Sequence, residues 1–149
     1  YFEKAAEQGQ IEAMGALGYM YYTGEFKDEG IEQDDKKAFF YLKKSSEGKH
    51  ENSFLYLSDL YISGKNIELN FEEVMKWLEK SANSNATNKS EAMFRLGSYS
   101  TSEDYGRNIK RAIYWLEKAS EQGHTTALRN LANLYINGNY RYGKETILL

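Results

Sequence analysis

Residues 108–135 read NIKRAIYWLEKASEQGHTTALRNLANLY, and this stretch decides the fold. In its first half, apolar residues recur every three to four positions, the spacing of one face of an α-helix; they are Ala112, Trp115, Leu116 and Ala119. After Gly123, a second run with the same spacing begins at Ala127. Two amphipathic helices joined by a short turn that contains glycine form a helical hairpin.

The same two patterns recur along the chain every 35–40 residues. We call the pattern after Gly123 the A helix and the pattern before it the B helix. A helices are centred on Leu17, Leu57, Leu96 and Leu131. B helices are centred on Tyr41, Trp77 and Trp115, and Tyr1-Phe2 belongs to a truncated copy. Since one hairpin cannot bury its apolar face alone, hairpins repeated in this way stack into a continuous core.

The periodicity therefore predicts an all-α protein, an α/α superhelix (solenoid) of stacked antiparallel helical hairpins over residues 1–138, with about three and a half repeats. Residues 139–149 are predicted to form a C-terminal tail or the truncated start of a further helix. Helices are expected near 11–22, 34–46, 51–62, 71–83, 90–100, 108–121 and 125–136, with a B-helix remnant at 1–8.

Polar residues that precede the B helices predict where these helices begin. A polar residue stands four positions before the first small apolar residue of each B helix: Asp34 before Ala38, Asn70 before Val74 and Asn108 before Ala112. At this position a side-chain oxygen accepts a hydrogen bond from a backbone N–H in the first turn of the helix. Glu73 is expected to complete a capping box with Asn70. The rings of Trp77 and Trp115 are predicted to lie in the core, and small residues such as Gly18, Gly97 and Ala132 to allow close approach of helix backbones.

When the repeats are aligned, each set of equivalent positions forms a column. Several of these columns resemble the Sel-one-like repeat (SLR) family, a relative of the tetratricopeptide repeat. The family features appear here as Ala13, Leu17, Gly18, Tyr21 and Gly24, followed by Asp34, Lys37, Ala38, Tyr41, Lys44, Ser45 and Ser46. The resemblance covers roughly residues 1–138. It implies right-handed superhelical hairpins that serve as adaptors and scaffolds, often in bacteria.

Composition excludes several classes of function. The chain has no Cys, so disulfides, thiolate metal sites and thiol nucleophiles are absent. Its formal net charge of −3, without a basic block, argues against nucleic acid as a partner. No apolar run approaches the ~20 residues of a membrane span, so direct membrane insertion is not expected. The chain lacks an initiator Met, which favours a fragment of a longer protein.

The two histidines are candidates for catalysis or metal binding. His50 and His124 both occupy the position of Gln10, just before an A helix, and lie two repeats apart. Repeat-equivalent turns of this kind do not converge on one metal or substrate. We therefore expect both to be surface turn residues that glutamine can replace, with no catalytic residue, no metal site and no cofactor.

The variable columns of the A helices are the predicted partner-binding surface. In related folds the A helices line the concave face. The A-helix columns that do not belong to the core contain aromatic rings, amides and an arginine. Such residue types are enriched at protein interfaces. The predicted partner-binding residues are Glu12, Ala16, Tyr19, Asn52, Tyr56, Asp59, Glu91, Arg95, Ser98, Asn130 and Asn133.

The sequence thus predicts a protein–protein interaction module, an adaptor, scaffold or effector- or toxin-associated factor that holds another protein or peptide. Two alternatives stay open. One is a hydrolase acting on β-lactams, as cysteine-rich relatives do, although this chain has no cysteine to staple its hairpins. The other is a structural spacer in a longer protein. A bacterial cytoplasmic or periplasmic compartment is expected, and the oligomeric state is open.

Overall fold

The computed structural model of the chain describes residues 2–138, and these form helices and connecting turns without any strand. Two short 3₁₀ helices, Lys27–Glu29 and Glu103–Tyr105, interrupt the loops. The α-helices are α1 (Phe2–Glu7), α2 (Ile11–Thr23), α3 (Asp35–Glu47), α4 (Ser53–Ser63), α5 (Phe71–Ala82), α6 (Lys89–Ser100), α7 (Ile109–Glu121) and α8 (Thr125–Gly138). The predicted all-α class is confirmed, and each predicted helix is present.

Contacts divide the chain into two compact units, Tyr1–Lys89 and Ser90–Leu149. The first unit holds α1 to α5, and the second holds α7, α8 and all of α6 after its first residue. Helices α2, α4, α6 and α8 are the A helices, and α1, α3, α5 and α7 are the B helices. The prediction for residues 139–149 lies outside the described residues.

Side-chain caps start the three complete B helices where the sequence predicts them. The Oδ1 atom of Asp34 accepts from the Lys37 backbone N–H at 3.0 Å, and Asn70 Oδ1 accepts from that of Glu73 at 3.1 Å. In the second unit, Asn108 Oδ1 caps α7 in the same way at 3.0 Å. Each cap satisfies a first-turn N–H that has no partner within its own helix.

The expected capping box between Asn70 and Glu73 is wrong in its second half. The backbone N–H of Asn70 donates to the carbonyl of Tyr61 at 3.3 Å instead of to the Glu73 carboxylate. Glu73 Oε2 accepts from the indole Nε1 of Trp77 at 2.9 Å, one turn further along α5. A buried indole N–H needs an acceptor, and Glu73 supplies it.

Close contact between paired A and B helices depends on glycine. A Cβ atom added at Gly18 of α2 would lie 2.7 Å from Cγ of Leu42 in α3 and 3.0 Å from the Leu42 backbone nitrogen. At Gly97 of α6 it would lie 2.6 Å from Cγ of Leu116 in α7. Both leucines are fully buried. Both glycines therefore allow the close approach that the sequence predicts, whereas Ala132, the third residue predicted for this role, is exposed on α8.

The core of the first unit combines leucines with large rings. Trp77 of α5 is 4% exposed and lies 5.5 Å, centroid to centroid, from Phe54 of α4. In the second unit Trp115 is 7% exposed. Both tryptophans are core residues, as predicted.

Two apolar residues of the last A helix, which the helical spacing after Ala127 predicts to be buried, are exposed instead. Leu128 is 59% exposed and Tyr135 is 41% exposed. Phe54, at the position equivalent to Leu128, is covered by the B helix that follows its own A helix. Helix α8 is the last described element, so the corresponding cover is not among the described residues.

Replacing Tyr21 by Phe tests how α1 is held to α2. The Tyr21 hydroxyl donates to Glu3 Oε1 at 2.6 Å, and this hydrogen bond, more than burial, raises the pKa of Tyr21 to about 12. We expect Tyr21→Phe to lower the free energy of unfolding by about 1 kcal/mol at neutral pH, as loss of one such bond does. Tyr41→Phe is the control, because it removes a hydroxyl from the neighbouring ring, which stacks on Tyr21.

The effect of Tyr21→Phe has a defined pH dependence. Because the folded state raises the pKa of Tyr21 above the ordinary value of 10.0, the stabilisation is complete below pH 10 and declines as the pH rises towards about 12. Urea denaturation of the wild-type chain and of Tyr21→Phe across this pH range measures the difference between their free energies of unfolding. A difference that stays constant above pH 10 would show that the hydrogen bond does not stabilise the fold.

Candidate functional site

The first unit brings two of the predicted binding residues into direct contact. Tyr19 of α2 and Tyr56 of α4 have ring centroids 5.0 Å apart at an interplanar angle of 56°. Tyr22, which the sequence analysis missed, lies 5.4 Å from Tyr56 and completes a three-ring cluster. All three residues are half-buried. We call this set, Tyr19, Tyr22 and Tyr56, the tyrosine surface.

Variation among equivalent positions of the repeats also points to Tyr22. Its column continues as Ile62, Thr101 and Ile136, and is as inconsistent as the columns that were selected. It stands three residues after Tyr19, on the neighbouring part of the same helix face. The same variability that marks Tyr19 as a candidate binding residue therefore marks Tyr22 as well.

Asp59 does not face outward as predicted. It is 7% exposed, and its Oδ2 atom accepts a hydrogen bond from the Tyr22 hydroxyl at 2.9 Å. Tyr22 belongs to the preceding A helix, α2, whereas Asp59 belongs to α4. The pattern of residues within one helix cannot predict a hydrogen bond between two helices. Asp59 therefore supports the tyrosine surface from beneath.

The remaining predicted residues of the first unit differ in availability. Glu12 is exposed and Ala16 is half-buried. Asn52 is exposed, but its Oδ1 atom accepts from the backbone N–H of Thr87 at 2.9 Å and its carbonyl accepts from the Asn88 side chain. Asn52 thus holds the loop that follows α5, and a partner would compete with those bonds.

In the second unit, Glu91 joins Arg95 to His124. One carboxylate oxygen of Glu91 pairs with Arg95 Nε at 2.9 Å, and the other lies 2.8 Å from His124 Nε2. The His124 ring also stacks on Phe94, with centroids 4.5 Å apart. Two predicted binding residues, Glu91 and Arg95, are therefore engaged with each other.

His124 is a structural residue rather than the surface turn residue we expected. Its side chain is only 14% exposed, and its Nδ1 atom accepts from the backbone N–H of Ala127 at 3.1 Å in the first turn of α8. Since Nδ1 accepts, the neutral ring carries its proton on Nε2 and donates to Glu91. Both ring nitrogens are committed, which leaves neither to act on a substrate.

His50 has a different set of contacts. Its Nδ1 atom lies 2.6 Å from the hydroxyl of Ser53, which also accepts from the hydroxyl of Ser45 at 2.8 Å. A Ser–His pair is also found in hydrolases, but Ser53 is 1% exposed and Ser45 is fully buried. A hydroxyl buried between helices cannot reach a substrate, so this network holds α3 and α4 together.

Three predicted residues of the second unit line one cleft. Ser98, Asn130 and Asn133 contribute to a volume of about 290 Å³ between α6, α7 and α8. Thr101 and Asn137 add further polar groups. Amide and hydroxyl groups both donate and accept hydrogen bonds, and this chemistry suits a peptide backbone.

The described residues contain neither a metal-binding cluster nor a membrane-spanning helix. Within residues 2–138, no group of three or more His, Asp or Glu side chains is placed to hold a metal ion. None of the helices in that range has the length and apolar character needed to cross a bilayer.

The comparisons with known proteins agree with the helical-repeat architecture. The Sel1 repeat model matches residues 1–10, 11–50, 55–85 and 90–124. The fold and the recurring columns define a helical-repeat protein. The chain belongs to the Sel1 repeat family, as the resemblance predicted. Proteins of this family are generally protein–protein interaction modules and typically not enzymes.

Two solved structures show the same fold. A protective antigen present in uropathogenic Escherichia coli strains, which displays an SLR fold, is 30% identical with a TM-score of 0.77, covering 90% of this chain and 27% of that chain. A Sel1 repeat protein from Oxalobacter formigenes is 25% identical with a TM-score of 0.72, covering 87% of this chain and 51% of that one. The chain thus spans about a quarter of the first protein and about half of the second. Comparison with curated protein sequences gives no match.

Proposed function

We propose that this chain is a non-enzymatic binding module that holds a partner protein or peptide against the variable face of its A helices. The observation that carries the proposal is the tyrosine surface, where Tyr19 and Tyr56 from successive A helices pack together and remain half-exposed. Tyrosine offers a large contact area at a low cost in conformational entropy. The cleft lined by Ser98, Asn130 and Asn133 supplies hydrogen-bonding groups in the second unit.

The histidine contacts weigh against the enzyme alternative. Each His carries a structural contact, and the nearest hydroxyl to His50 belongs to buried Ser53. The spacer alternative does not account for half-exposed rings at inconsistent columns, because a spacer needs only a solvated face there. A binding function therefore gives the half-exposed tyrosines a role that neither a hydrolase nor a spacer would give them.

A capture experiment with matched variants tests the proposal. The 149-residue chain serves as bait in a bacterial lysate, beside a Tyr19→Ala and Asn133→Ala double variant. The control bait carries Glu72→Ala and Lys110→Ala, two exposed residues of the B helices. We expect proteins identified by mass spectrometry to be retained by the control bait and lost from the double variant.

Affinity for a captured partner gives the quantitative form of the prediction. Tyr19→Ala should weaken binding by about 1–3 kcal/mol, as removal of an interface anchor does, while the melting temperature stays nearly constant. Tyr19 is preferred to Tyr56 because Tyr56 also packs against the buried core. Partners retained by the double variant but lost from the control bait would place the binding face on the B helices instead.

A further inference from the structure

The tyrosine surface lies in the acidic part of the chain. Residues 1–89 contain 16 acidic side chains and 11 lysines, a formal charge of −5, whereas residues 90–149 have 8 basic and 6 acidic side chains, a charge of +2. The overall value of −3 hides this asymmetry. A partner that meets the first unit therefore approaches a negative field, which favours positive groups.

Individual carboxylates lie close to the rings. Burial raises the pKa of Tyr19, and the negative charge of Glu25 raises it further, so that carboxylate is near the phenol. Glu12 is exposed seven residues before Tyr19, two turns away on the same helix face. Asp59 lies beneath Tyr22. Acidic groups thus flank the tyrosine surface and support it.

Elsewhere this chain places lysines over several of its own aromatic rings. On the B helices, lysine ammonium groups lie over ring centroids at 4.6 Å for Lys80 on Trp77 and 4.8 Å for Lys44 on Phe40. The negative face of an aromatic ring attracts a cation at such distances. Within the described residues, neither Tyr19 nor Tyr56 has a lysine or arginine over its ring.

We propose that the tyrosine surface recognises a basic segment of the partner, with an arginine or lysine side chain lying on an exposed tyrosine face and Glu12 and Glu25 attracting its charge. This inference rests on the proposed binding function and names the chemistry of the bound partner. Ring centroids only 5.0 and 5.4 Å apart are in packing contact, so the cation lies on the outer faces and not between the rings. Arginine is favoured because its planar guanidinium stacks on rings and is weakly hydrated.

Two short synthetic peptides provide the probe. One alternates Arg with Ser and the other alternates citrulline with Ser, which keeps the planar hydrogen-bonding group but removes the charge. Both are titrated with the full 149-residue chain by fluorescence anisotropy, at low and at physiological ionic strength. We expect the Arg peptide to bind about tenfold more tightly than the citrulline peptide at low salt, with the preference falling as salt increases.

Matched variants locate the binding. Tyr19→Leu removes the ring, whereas Tyr19→Phe keeps it. Glu25→Gln removes a nearby charge, whereas Glu72→Gln removes an exposed charge on α5, in the same unit. We expect Tyr19→Leu and Glu25→Gln to weaken binding of the Arg peptide several-fold, and Tyr19→Phe and Glu72→Gln to leave it unchanged.

The outcomes separate this inference from the proposed function. Equal binding of the Arg and citrulline peptides overturns the basic-partner inference, and so does an Arg affinity that Tyr19→Leu leaves unchanged or that Glu72→Gln lowers as much as Glu25→Gln. If neither peptide binds while the capture experiment yields a partner lost with Tyr19→Ala, the inference fails and the binding function stands. If the capture experiment yields no partner that depends on the A helices, the proposed function itself fails.

Discussion

Trp77→Ala is expected to lower the free energy of unfolding by about 3–5 kcal/mol, the usual cost of truncating a buried large aromatic. The ring is 4% exposed, packs against Phe54 and donates its indole N–H to Glu73. Truncation opens a cavity and leaves the Glu73 carboxylate without that donor. Chemical denaturation followed by far-ultraviolet circular dichroism measures the loss, and Trp115→Ala is expected to behave alike in the second unit.

A matched control separates burial from ring loss alone. Phe40 precedes Tyr41, which is equivalent to Trp77, and the Phe40 ring is 51% exposed on α3. Phe40→Ala should cost no more than about 1 kcal/mol, because little apolar area returns to water. If Trp77→Ala costs less than about 1 kcal/mol, or no more than Phe40→Ala, then the Trp77 ring is not part of the core.

His124→Ala is expected to cost about 2–3 kcal/mol in the free energy of unfolding, the largest effect of any polar substitution we consider. The variant loses the acceptor for the Ala127 N–H at the start of α8, worth about 1 kcal/mol. It also loses the stack on Phe94 and the hydrogen bond to Glu91, each worth about 1 kcal/mol or less. Urea denaturation of the full chain measures the sum.

Two further variants divide this effect into its parts. His124→Asn keeps a side chain that caps helices well and should recover about 1 kcal/mol. Gln10 holds the equivalent position in the first repeat, precedes α2 and makes no side-chain cap hydrogen bond, so Gln10→Ala should change stability little. If His124→Ala changed stability as little as Gln10→Ala, then His124 would be the replaceable turn residue that the sequence predicts.

Local chemistry explains how much of the fold the sequence predicted. Apolar periodicity and the caps Asp34, Asn70 and Asn108 act within one helix, and the structure bears out the caps and places helix ends within about two residues of the prediction. The predictions for Gly18 and Gly97 are also confirmed, because a position that faces another helix backbone accepts only a small side chain, whereas Ala132 is exposed. Glu73 was misread since its best donor, the Trp77 indole, is a side chain and not the backbone of the cap.

Only the tertiary structure decided which variable positions are exposed and which are engaged by other parts of the chain. Tyr19 and Tyr56 were selected separately, and their contact depends on how α2 lies beside α4. Three other predicted residues make hydrogen bonds within the chain: Asp59 with the Tyr22 hydroxyl, Asn52 with the loop after α5, and Glu91 with His124. Each of these bonds joins residues more than 30 positions apart in the chain. Periodicity within one helix specifies which face is buried, whereas the use of the opposite face depends on side chains that arrive from elsewhere in the chain.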